Sequence, residues 1–261
     1  MRVSKNLADW VLRRRAIEGP SIGFVPTMGA LHSGHASLVE RCRKENEIAV
    51  VSIFVNPSQF NEAKDLDRYP RTMERDLTLL EELGVDDVFA PAVTDLYPDG
   101  YRFRIESKRE EVMEAAYRPG FLQGVMTIVM KLFQLVRPGR AYFGEKDYQQ
   151  LRTIDEMARD FFLPIDVVPC ATVREVSGLA MSSRNMLLSD DSRANASWMF
   201  RALTTAGSSG EARDMLTAHG FQVDYVEEHW GRRFAAAYLD GVRLIDNVAL
   251  PEGPTNDASL S

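Results

Sequence analysis

Cysteine, long apolar runs and an excess of positive charge are all scarce in this 261-residue chain. Its two cysteines, Cys42 and Cys170, have no CxxC spacing, which favours small buried thiols in a reducing compartment over a disulfide or a metal site. No apolar stretch is long enough for a transmembrane helix, and the N-terminus has no signal-peptide pattern. These absences predict a cytoplasmic protein with no membrane partner.

The charge balance argues against an extended electrostatic binding surface for nucleic acid. The formal net charge is −7, whereas nucleic-acid binding needs a basic face. A local basic pocket for phosphate groups remains compatible with that charge. The composition is that of an ordinary globular protein, with 45% apolar and 26% charged residues. Such a chain can bury a sizeable core without disulfides or metals.

Short apolar runs alternate with segments of helical periodicity between residues 22 and 168. Strands are predicted at Ile22–Val25, Ile48–Val55, Val85–Ala90, Ala141–Phe143 and Ile165–Val168, and helices at Ala36–Lys44, Thr72–Leu83, Val125–Val136 and Asp147–Phe161. This alternation predicts an α/β fold, a doubly wound parallel sheet with helices on both faces. Ligands of such sheets bind beyond the carboxyl ends of the strands.

The pattern weakens after about Thr172. The AGSSG segment at Ala206–Gly210 indicates a flexible connector, and Asp240-Gly241 is a two-residue turn signal for a hairpin. We therefore predict a first domain over residues 1–172 and a smaller α+β domain over residues 173–261. The polar end of the chain, Pro251 to Ser261, is predicted to be disordered.

The turn after the first of these strands is the leading candidate for a binding site. Half of the chain's four histidines, His32 and His35, lie in it at the start of a predicted helix. A helix N-terminus offers free N–H groups and a positive dipole end to an anion. Gly29 and Gly34 allow the backbone to approach a ligand closely. The alternative is a surface turn with two ordinary histidines.

Three further loops contain candidate residues. Lys146, between Gly144 and Asp147, offers a point charge to a phosphate, and Gln150 lies one helical turn further on. Asp147 is placed to cap or charge that helix start. Ser177 to Asn185 combines hydroxyl groups with Arg184, which can form forked contacts to a polyphosphate. Gln59 follows the strongest strand. Each segment can also be interpreted as an ordinary polar loop.

The HxGH turn and the Met-Ser-Ser-Arg loop together resemble the HIGH and KMSKS pair of adenylate-forming nucleotidylyl transferases. Within that group the chain is similar to the pantothenate synthetase (pantoate–β-alanine ligase) family. The resemblance extends from about Ile22 to Leu188 and resumes at Ala237–Asn247. It rests on the strings VPTMGALHSGH, VVSIFVNPSQF, YPRT, YFGEKDYQQL, MSSRN and AYLDGVRLIDN.

The resemblance implies ATP, Mg²⁺, pantoate and β-alanine as ligands, a Rossmann-like first domain, a small C-terminal domain over the site, and a homodimer. It assigns His35, His32 and Lys146 to the phosphates, and Gln59 and Gln150 to pantoate. The residues implied to line ATP are Met28, Gly29, Ala30, Leu31, His32, Ser33, Gly34, His35, Gly144, Glu145, Lys146, Asp147, Val173, Met181, Ser182, Ser183 and Arg184. No residue is assigned to a metal.

These residue types suit the implied chemistry. A carboxylate that attacks the α-phosphorus of ATP needs no general base, but it needs donors where charge builds on the phosphoryl oxygens. Neutral amides such as Gln59 and Gln150 orient a hydroxy acid without neutralising the attacking carboxylate. The amine of β-alanine would then attack the mixed anhydride and release AMP.

Three positions depart from the family pattern. Phe121 stands where the family usually has histidine, and Ser177 replaces the usual acidic residue before Gly-Leu-Ala. The C-terminal domain is also shorter than usual around Ala206–Gly210. The departures concern turnover, lid closure and the pantoate pocket more than the reaction class.

Three other functions compete with this interpretation. A transferase that adenylylates a phosphate acceptor would need cationic residues where Gln59 and Gln150 stand. An aminoacyl-tRNA synthetase would need a basic tRNA-binding domain. The third alternative is a nucleotide-binding regulator without catalysis, which Phe121 leaves open.

Overall fold

The computed structural model describes residues 1–17, 21–61, 63–108 and 112–251, without the side chains of residues 63 and 64. The described chain divides into two compact units. The first comprises Met1–Val173 with Met181–Ser183, and the second comprises Arg174–Ala180 with the residues from Arg184 onward. The predicted disorder of the C-terminal segment lies, apart from Pro251, outside the described residues.

The first unit is built on a parallel sheet of six strands within the described residues. The strands are β1 (Arg2–Ser4), β2 (Ile22–Thr27), β3 (Ile48–Ile53), β4 (Asp87–Phe89), β5 (Arg140–Gly144) and β6 (Asp166–Cys170). Their spatial order is β1-β4-β3-β2-β5-β6. The predicted parallel α/β sheet is confirmed. The order reverses between β2 and β5, because the chain winds from β2 to one side and resumes at β5 on the other.

Helices cover both faces of this sheet, as a doubly wound fold requires. They are α1 (Leu7–Arg15), α2 (Ser33–Glu45), α3 (Ala63–Arg68), α4 (Met73–Glu82), α5 (Val93–Leu96), α6 (Glu114–Tyr117), α7 (Phe121–Val136) and α8 (Tyr148–Asp160). Short 3₁₀ helices occur at Pro57–Gln59, Glu145–Asp147 and Ser183–Leu187.

Alternate residues of the central strands belong to two separate apolar cores. Phe24 and Val50 pack with residues of α1, α7 and α8. Their chain neighbours Val25 and Val51 pack on the opposite face with residues of α2 and α4. Because both faces are buried, these strands have continuous apolar sequences rather than alternating ones, which is why they could be recognised from the sequence.

The start of the chain forms two elements that the sequence analysis did not predict. β1 has only three residues and pairs in parallel with β4 at the sheet edge. α1 begins after Asn6, whose side chain accepts a hydrogen bond from the backbone N–H of Asp9 at 2.8 Å. Its one fully buried residue is Trp10, so the helix lacks a strong apolar stripe. Helix α7 also begins four residues earlier than its predicted start at Val125.

The second unit is an α+β body with its own apolar core. Its helices are α9 (Asp190–Ala196), α10 (Trp198–Thr205) and α11 (Ser209–Ala218), and its antiparallel strands are β7 (Gln222–His229), β8 (Arg232–Leu239) and β9 (Val242–Ala249). The hairpin predicted at Asp240-Gly241 is confirmed, since these residues connect β8 to β9, both with positive φ.

The flexible connector predicted at Ala206–Gly210 is wrong in its second half. Ser209 and Gly210 belong to α11. Ser208 caps this helix by accepting a hydrogen bond from the N–H of Glu211, and the Glu211 carboxylate accepts one from the N–H of Gly207 at 2.6 Å. This reciprocal capping explains why a Ser/Gly-rich string starts a helix here.

No helix in the part of the chain that the structure describes is both long and apolar enough to cross a membrane.

Candidate active site

The candidate site lies at the carboxyl edge of β2 and β5, where the strand order reverses. The HxGH turn follows β2, and the Gly144–Asp147 segment follows β5, so two candidate loops meet beside neighbouring strands. In open α/β sheets the crevice at such a reversal is the usual ligand site. The topology therefore brings together two segments that are more than 100 residues apart in the sequence.

The backbone before His32 adopts a left-handed conformation at two successive residues. Gly29 has φ of +77° and Ala30 has φ of +51°. The N–H groups of Ala30 and Leu31 both point to the carboxylate of Asp76 in α4, each at 2.9 Å. A Cβ at Gly29 would lie 3.0 Å from that carboxylate, which explains the glycine.

Two amides remain for a ligand at the start of α2. The N–H of Gly34 donates to Nδ1 of His32 at 3.1 Å, so His32 caps the helix. Within the described residues, the N–H groups of Ser33 and His35 donate to no acceptor. Helix N-termini with free N–H groups bind anions. The predicted anion site is thus narrower than the whole turn, because Asp76 occupies the amides of Ala30 and Leu31.

The two histidines face each other with ring centroids 4.1 Å apart. Burial, together with the neighbouring His35 and Lys146, lowers the pKa of His32 to about 3. Burial and Lys146 lower the pKa of His35 to about 4. Both rings are therefore neutral at pH 7. Because Nδ1 of His32 accepts a hydrogen bond, its proton lies on Nε2, which is left as a donor.

Acid should destabilise the protein partly through these two histidines. In the unfolded chain they take up protons near pH 6.5, whereas in the folded chain they stay neutral down to about pH 4. Their contribution therefore makes the free energy of unfolding fall as the pH drops from 6.5 towards 4. In urea unfolding at pH 7, 6 and 5, the free energy of unfolding of His32→Gln and of His35→Gln should fall less steeply with decreasing pH than that of the parent chain. Equal slopes would contradict the assigned pKa values.

Lys146 lies close enough to both histidines to lower their pKa values. Its ammonium is 3.7 Å from the carboxylate of Asp147, and its side chain is largely buried. Asp147 occupies the N-cap position of α8, but its side chain makes no capping hydrogen bond, so the capping alternative for Asp147 is wrong. The loop after β5 thus presents one lysine and one acidic side chain beside the HxGH turn.

The predicted Met-Ser-Ser-Arg loop is divided between the two units. Met181 donates its backbone N–H to the carbonyl of Val173 at 2.9 Å, and the hydroxyl of Ser183 donates to the carbonyl of Ala30 at 3.0 Å. These contacts place Val173 and Met181 to Ser183 against the HxGH turn within the first unit. Arg184 belongs to the second unit, where its guanidinium donates to the carbonyl of Arg243 at 3.4 Å.

A buried hydrogen-bond network fixes the side chain of Gln59. Its Oε1 accepts from Nδ2 of Asn56 at 2.9 Å, and Oδ1 of Asn56 in turn accepts from the hydroxyls of Ser58 and Tyr97. Within the described residues, Nε2 of Gln59 has no acceptor. The network therefore leaves a neutral N–H donor at the end of β3, next to β2.

The other predicted pantoate residue, Gln150, is half-buried in the first turn of α8. Its neighbour Gln149 is buried and bonds to the backbone of Val112 and Glu114 at 3.0 Å each. Gln149 is therefore a structural residue, whereas the side chain of Gln150 makes no hydrogen bond among the described residues. The two adjacent glutamines have different surroundings, which their sequence could not show.

Phe121 is the first residue of α7, and its ring supports Arg118. The guanidinium of Arg118 lies 3.8 Å from the ring centroid and donates to the backbone carbonyl of Gln59 at 2.9 Å. Phe121 also lines a cavity of about 490 Å³ together with Ser58 and Tyr97. None of the predicted phosphate or pantoate side chains lines that cavity. Phe121 is thus connected to the backbone of Gln59 through Arg118.

The residues that hold the candidate loops in place are not apparent from the sequence. Asp76, Tyr97 and Arg118 bond to these loops from elsewhere in the first unit, and Asn56 bonds to Gln59 from within the same loop. The available signal was that Asp76 follows the YPRT string and Asn56 belongs to the string that contains Gln59. The contacts of Asp76, Tyr97 and Arg118 join distant segments, which leaves no local pattern in the sequence.

The fold and the loops together define a doubly wound α/β protein with a candidate anion-binding site at the switch point of its sheet. Comparison with known proteins identifies the particular family. The profile of the family described as pantoate-beta-alanine ligase matches residues 1–249. The chain belongs to this family, and the predicted ligase class is confirmed.

Relatives and solved structures agree with this assignment. The chain is 48% identical to a pantothenate synthetase of Bdellovibrio bacteriovorus, covering 95% of this chain and 99% of the relative. It is 47% identical to that of Legionella pneumophila, covering 96% and 100%. A Francisella tularensis pantoate-beta-alanine ligase, complexed with beta-gamma ATP and beta-alanine, has a TM-score of 0.92 at 39% identity, with 95% of this chain and 97% of that chain covered. The structure of Thermus thermophilus pantothenate synthetase has a TM-score of 0.88 at 44% identity, with 96% of this chain and 100% of that chain covered.

Proposed function

We propose that this ligase makes pantothenate in two steps at the switch-point site. ATP and pantoate first give pantoyl-adenylate and pyrophosphate. The amine of β-alanine then displaces AMP and forms the amide. The observation that supports this most is the meeting of His32, His35 and Lys146 at the carboxyl edge of β2 and β5.

In the first step the donors are assigned to the phosphates. Nε2–H of His32, the ammonium of Lys146 and the amide N–H groups of Ser33 and His35 stabilise charge on the phosphoryl oxygens and on the leaving pyrophosphate. Nδ1 of His35 is buried and has no partner among the described residues, and in the tautomer that carries its proton on Nδ1 it can donate to a phosphate oxygen. The neutral rings also avoid a cluster of positive charges before ATP arrives.

Gln59 and Gln150 are assigned to pantoate. The Nε2 donor of Gln59 suits a carboxylate or hydroxyl oxygen, and being uncharged it leaves the carboxylate nucleophilic. A cationic residue there would favour a phosphate acceptor instead, which argues for a carboxylic acid substrate. In the second step the same contacts hold the adenylate while the amine attacks its acyl carbon.

Mg²⁺ is proposed to enter with ATP. Among the residues that the structure describes, no group of three or more His, Cys, Asp or Glu side chains could form a metal cage. Mg²⁺ is commonly bound through substrate phosphates, water and one or two carboxylates, so a site with few protein carboxylates fits this ion. Asp147, with a 40% exposed side chain, is one such carboxylate on the segment that contains Lys146. When bound, the ion neutralises phosphate charge.

The remaining expectations also stay proposals. They are a homodimer, a cytoplasmic location, a domain boundary near residue 172, and closure of Arg184 with the C-terminal domain over ATP.

Product analysis tests the proposed reaction. Purified protein with ATP, Mg²⁺, pantoate and β-alanine should form pantothenate and AMP in equal amounts, and omission of any one substrate should stop both products. Formation of ADP would contradict an adenylate intermediate. Binding of ATP without product would support the regulator alternative.

A further inference from the structure

The buried carboxylate of Asp76 accepts hydrogen bonds from the backbone of the HxGH turn, although no contact with ATP is assigned to it. Asp76 is 1% exposed and lies in α4, outside every string assigned to a ligand. Its two oxygens accept from the N–H groups of Ala30 and Leu31 at 2.9 Å, and from the hydroxyl of Thr72 at 3.0 Å. A buried charge is stable only when it is paired or fully hydrogen-bonded, and here the loop backbone supplies most of those bonds.

The peptide groups of Ala30 are fixed from two directions. Its N–H bonds to Asp76, and its carbonyl accepts the Ser183 hydroxyl at 3.0 Å. The residue itself has φ of +51°, which a non-glycine residue adopts only when its surroundings impose it. Asp76 and Ser183 thus both hold the left-handed turn immediately before His32.

The conformation of that turn determines where the phosphate donors point. His32 is the N-cap of α2, and the free amides of Ser33 and His35 follow directly. If the turn at Gly29 and Ala30 relaxed, the cap and both amides would move together. Charge stabilisation in a catalytic site depends on preorganised donors, and a shift of about 1 Å can lower a rate by about 10²-fold.

We propose that Asp76 is a positioning residue that holds the HxGH turn in its ATP-binding conformation without contacting ATP. This role rests on the proposed function, since it assumes that the turn binds the phosphates of ATP. The carboxylate acts by accepting backbone N–H groups, so its effect requires two acceptor oxygens rather than its volume. Asparagine has the same shape but only one acceptor, and it leaves one of the two amides without a partner.

The test compares Asp76→Asn with Asp87→Asn. Asp87 is also 1% exposed and is bonded to Arg13 through both oxygens at 2.7 Å, but it lies in β4 and contacts no candidate loop. It therefore controls for the loss of a buried, doubly bonded carboxylate. The measurements are the melting temperature, the ATP dissociation constant by calorimetry, and kcat/KM for ATP in pyrophosphate exchange.

Both variants should lose thermal stability, whereas only Asp76→Asn should lose ATP function. We expect its kcat/KM for ATP to fall by about 10- to 10²-fold and its ATP affinity to weaken, with Asp87→Asn within twofold of the parent chain. Unchanged exchange kinetics for folded Asp76→Asn would overturn the proposal. Tighter ATP binding would also overturn it, because it would mean that the carboxylate acts by repelling phosphate.

A second pair of variants covers the case in which Asp76→Asn does not fold. Thr72→Val removes one of the three hydrogen bonds to the carboxylate, while Thr72→Ser keeps the hydroxyl. Thr72→Val should lower kcat/KM for ATP several-fold, and Thr72→Ser should restore it. Equal kcat/KM values for the two variants would contradict the proposed positioning role of Asp76. If the parent chain binds ATP but shows no exchange, the proposed function fails. The ATP dissociation constants of Asp76→Asn and Asp87→Asn, measured by calorimetry, still test the positioning role of Asp76.

Discussion

Replacement of Lys146 by alanine is expected to lower the rate of adenylate formation by roughly 10²–10³-fold, the scale for losing one preorganised donor. The ammonium lies beside both histidines after β5, where the proposed mechanism places the charge of the leaving pyrophosphate. Stability should change little, because its 3.7 Å ion pair with Asp147 is partly exposed. The measurement is single-turnover release of pyrophosphate from ATP with pantoate, with the melting temperature recorded in parallel.

Lys44→Ala is the matched control for the loss of one positive charge. Lys44 is exposed in the last turn of α2, at the opposite end of the helix that begins with the HxGH turn. Its replacement should leave the rate within twofold. A Lys146→Ala variant that unfolds early while its folded fraction keeps the parent rate would show that Lys146 has only a structural role.

Replacement of Gln59 by glutamate should raise the KM for pantoate by about 10- to 10²-fold. One carboxylate oxygen can still accept from Asn56, but the other takes the position of the Nε2 donor and faces the carboxylate of pantoate. Loss of a hydrogen bond to a charged group contributes about 1.5–3 kcal/mol, which corresponds to that range. Steady-state kinetics with varied pantoate, at saturating ATP and β-alanine, measure the change.

ATP should bind this variant almost as it binds the parent chain, because the phosphate donors lie on other loops. Gln134→Glu, at an exposed position of α7, adds the same charge away from the site and should leave both constants unchanged. An unaltered KM for pantoate in Gln59→Glu would contradict the assignment of Gln59 to the pantoate site. An equal loss for ATP would instead indicate a general electrostatic effect.

The central strands and the HxGH turn could be predicted because each leaves a local pattern. β3 is β-branched and buried on both faces, and the turn combines glycines with two histidines at a helix start. By contrast, β1 has three residues and α1 buries only Trp10 fully, so neither has a periodicity to recognise. The AGSSG string has the composition of a linker, but Ser208 and Glu211 cap a helix within it.

The supporting contacts of the site were beyond sequence reasoning for a different reason. Asp76 bonds to a backbone 45 residues away in the sequence, and Arg118 bonds to a carbonyl 59 residues away. Such contacts depend on the tertiary fold and on backbone groups that every residue has. The sequence could therefore indicate candidate ligand-binding side chains, but not which side chains hold their loops in place.

Isotope exchange between pyrophosphate and ATP is the most direct test of the two-step mechanism. The protein should catalyse this exchange with Mg²⁺ and pantoate present and β-alanine absent, because the adenylate forms before the amine reacts. Without pantoate the exchange should stop. Exchange that requires β-alanine would contradict the proposed acyl-adenylate and would mean that the three substrates react in a single concerted step.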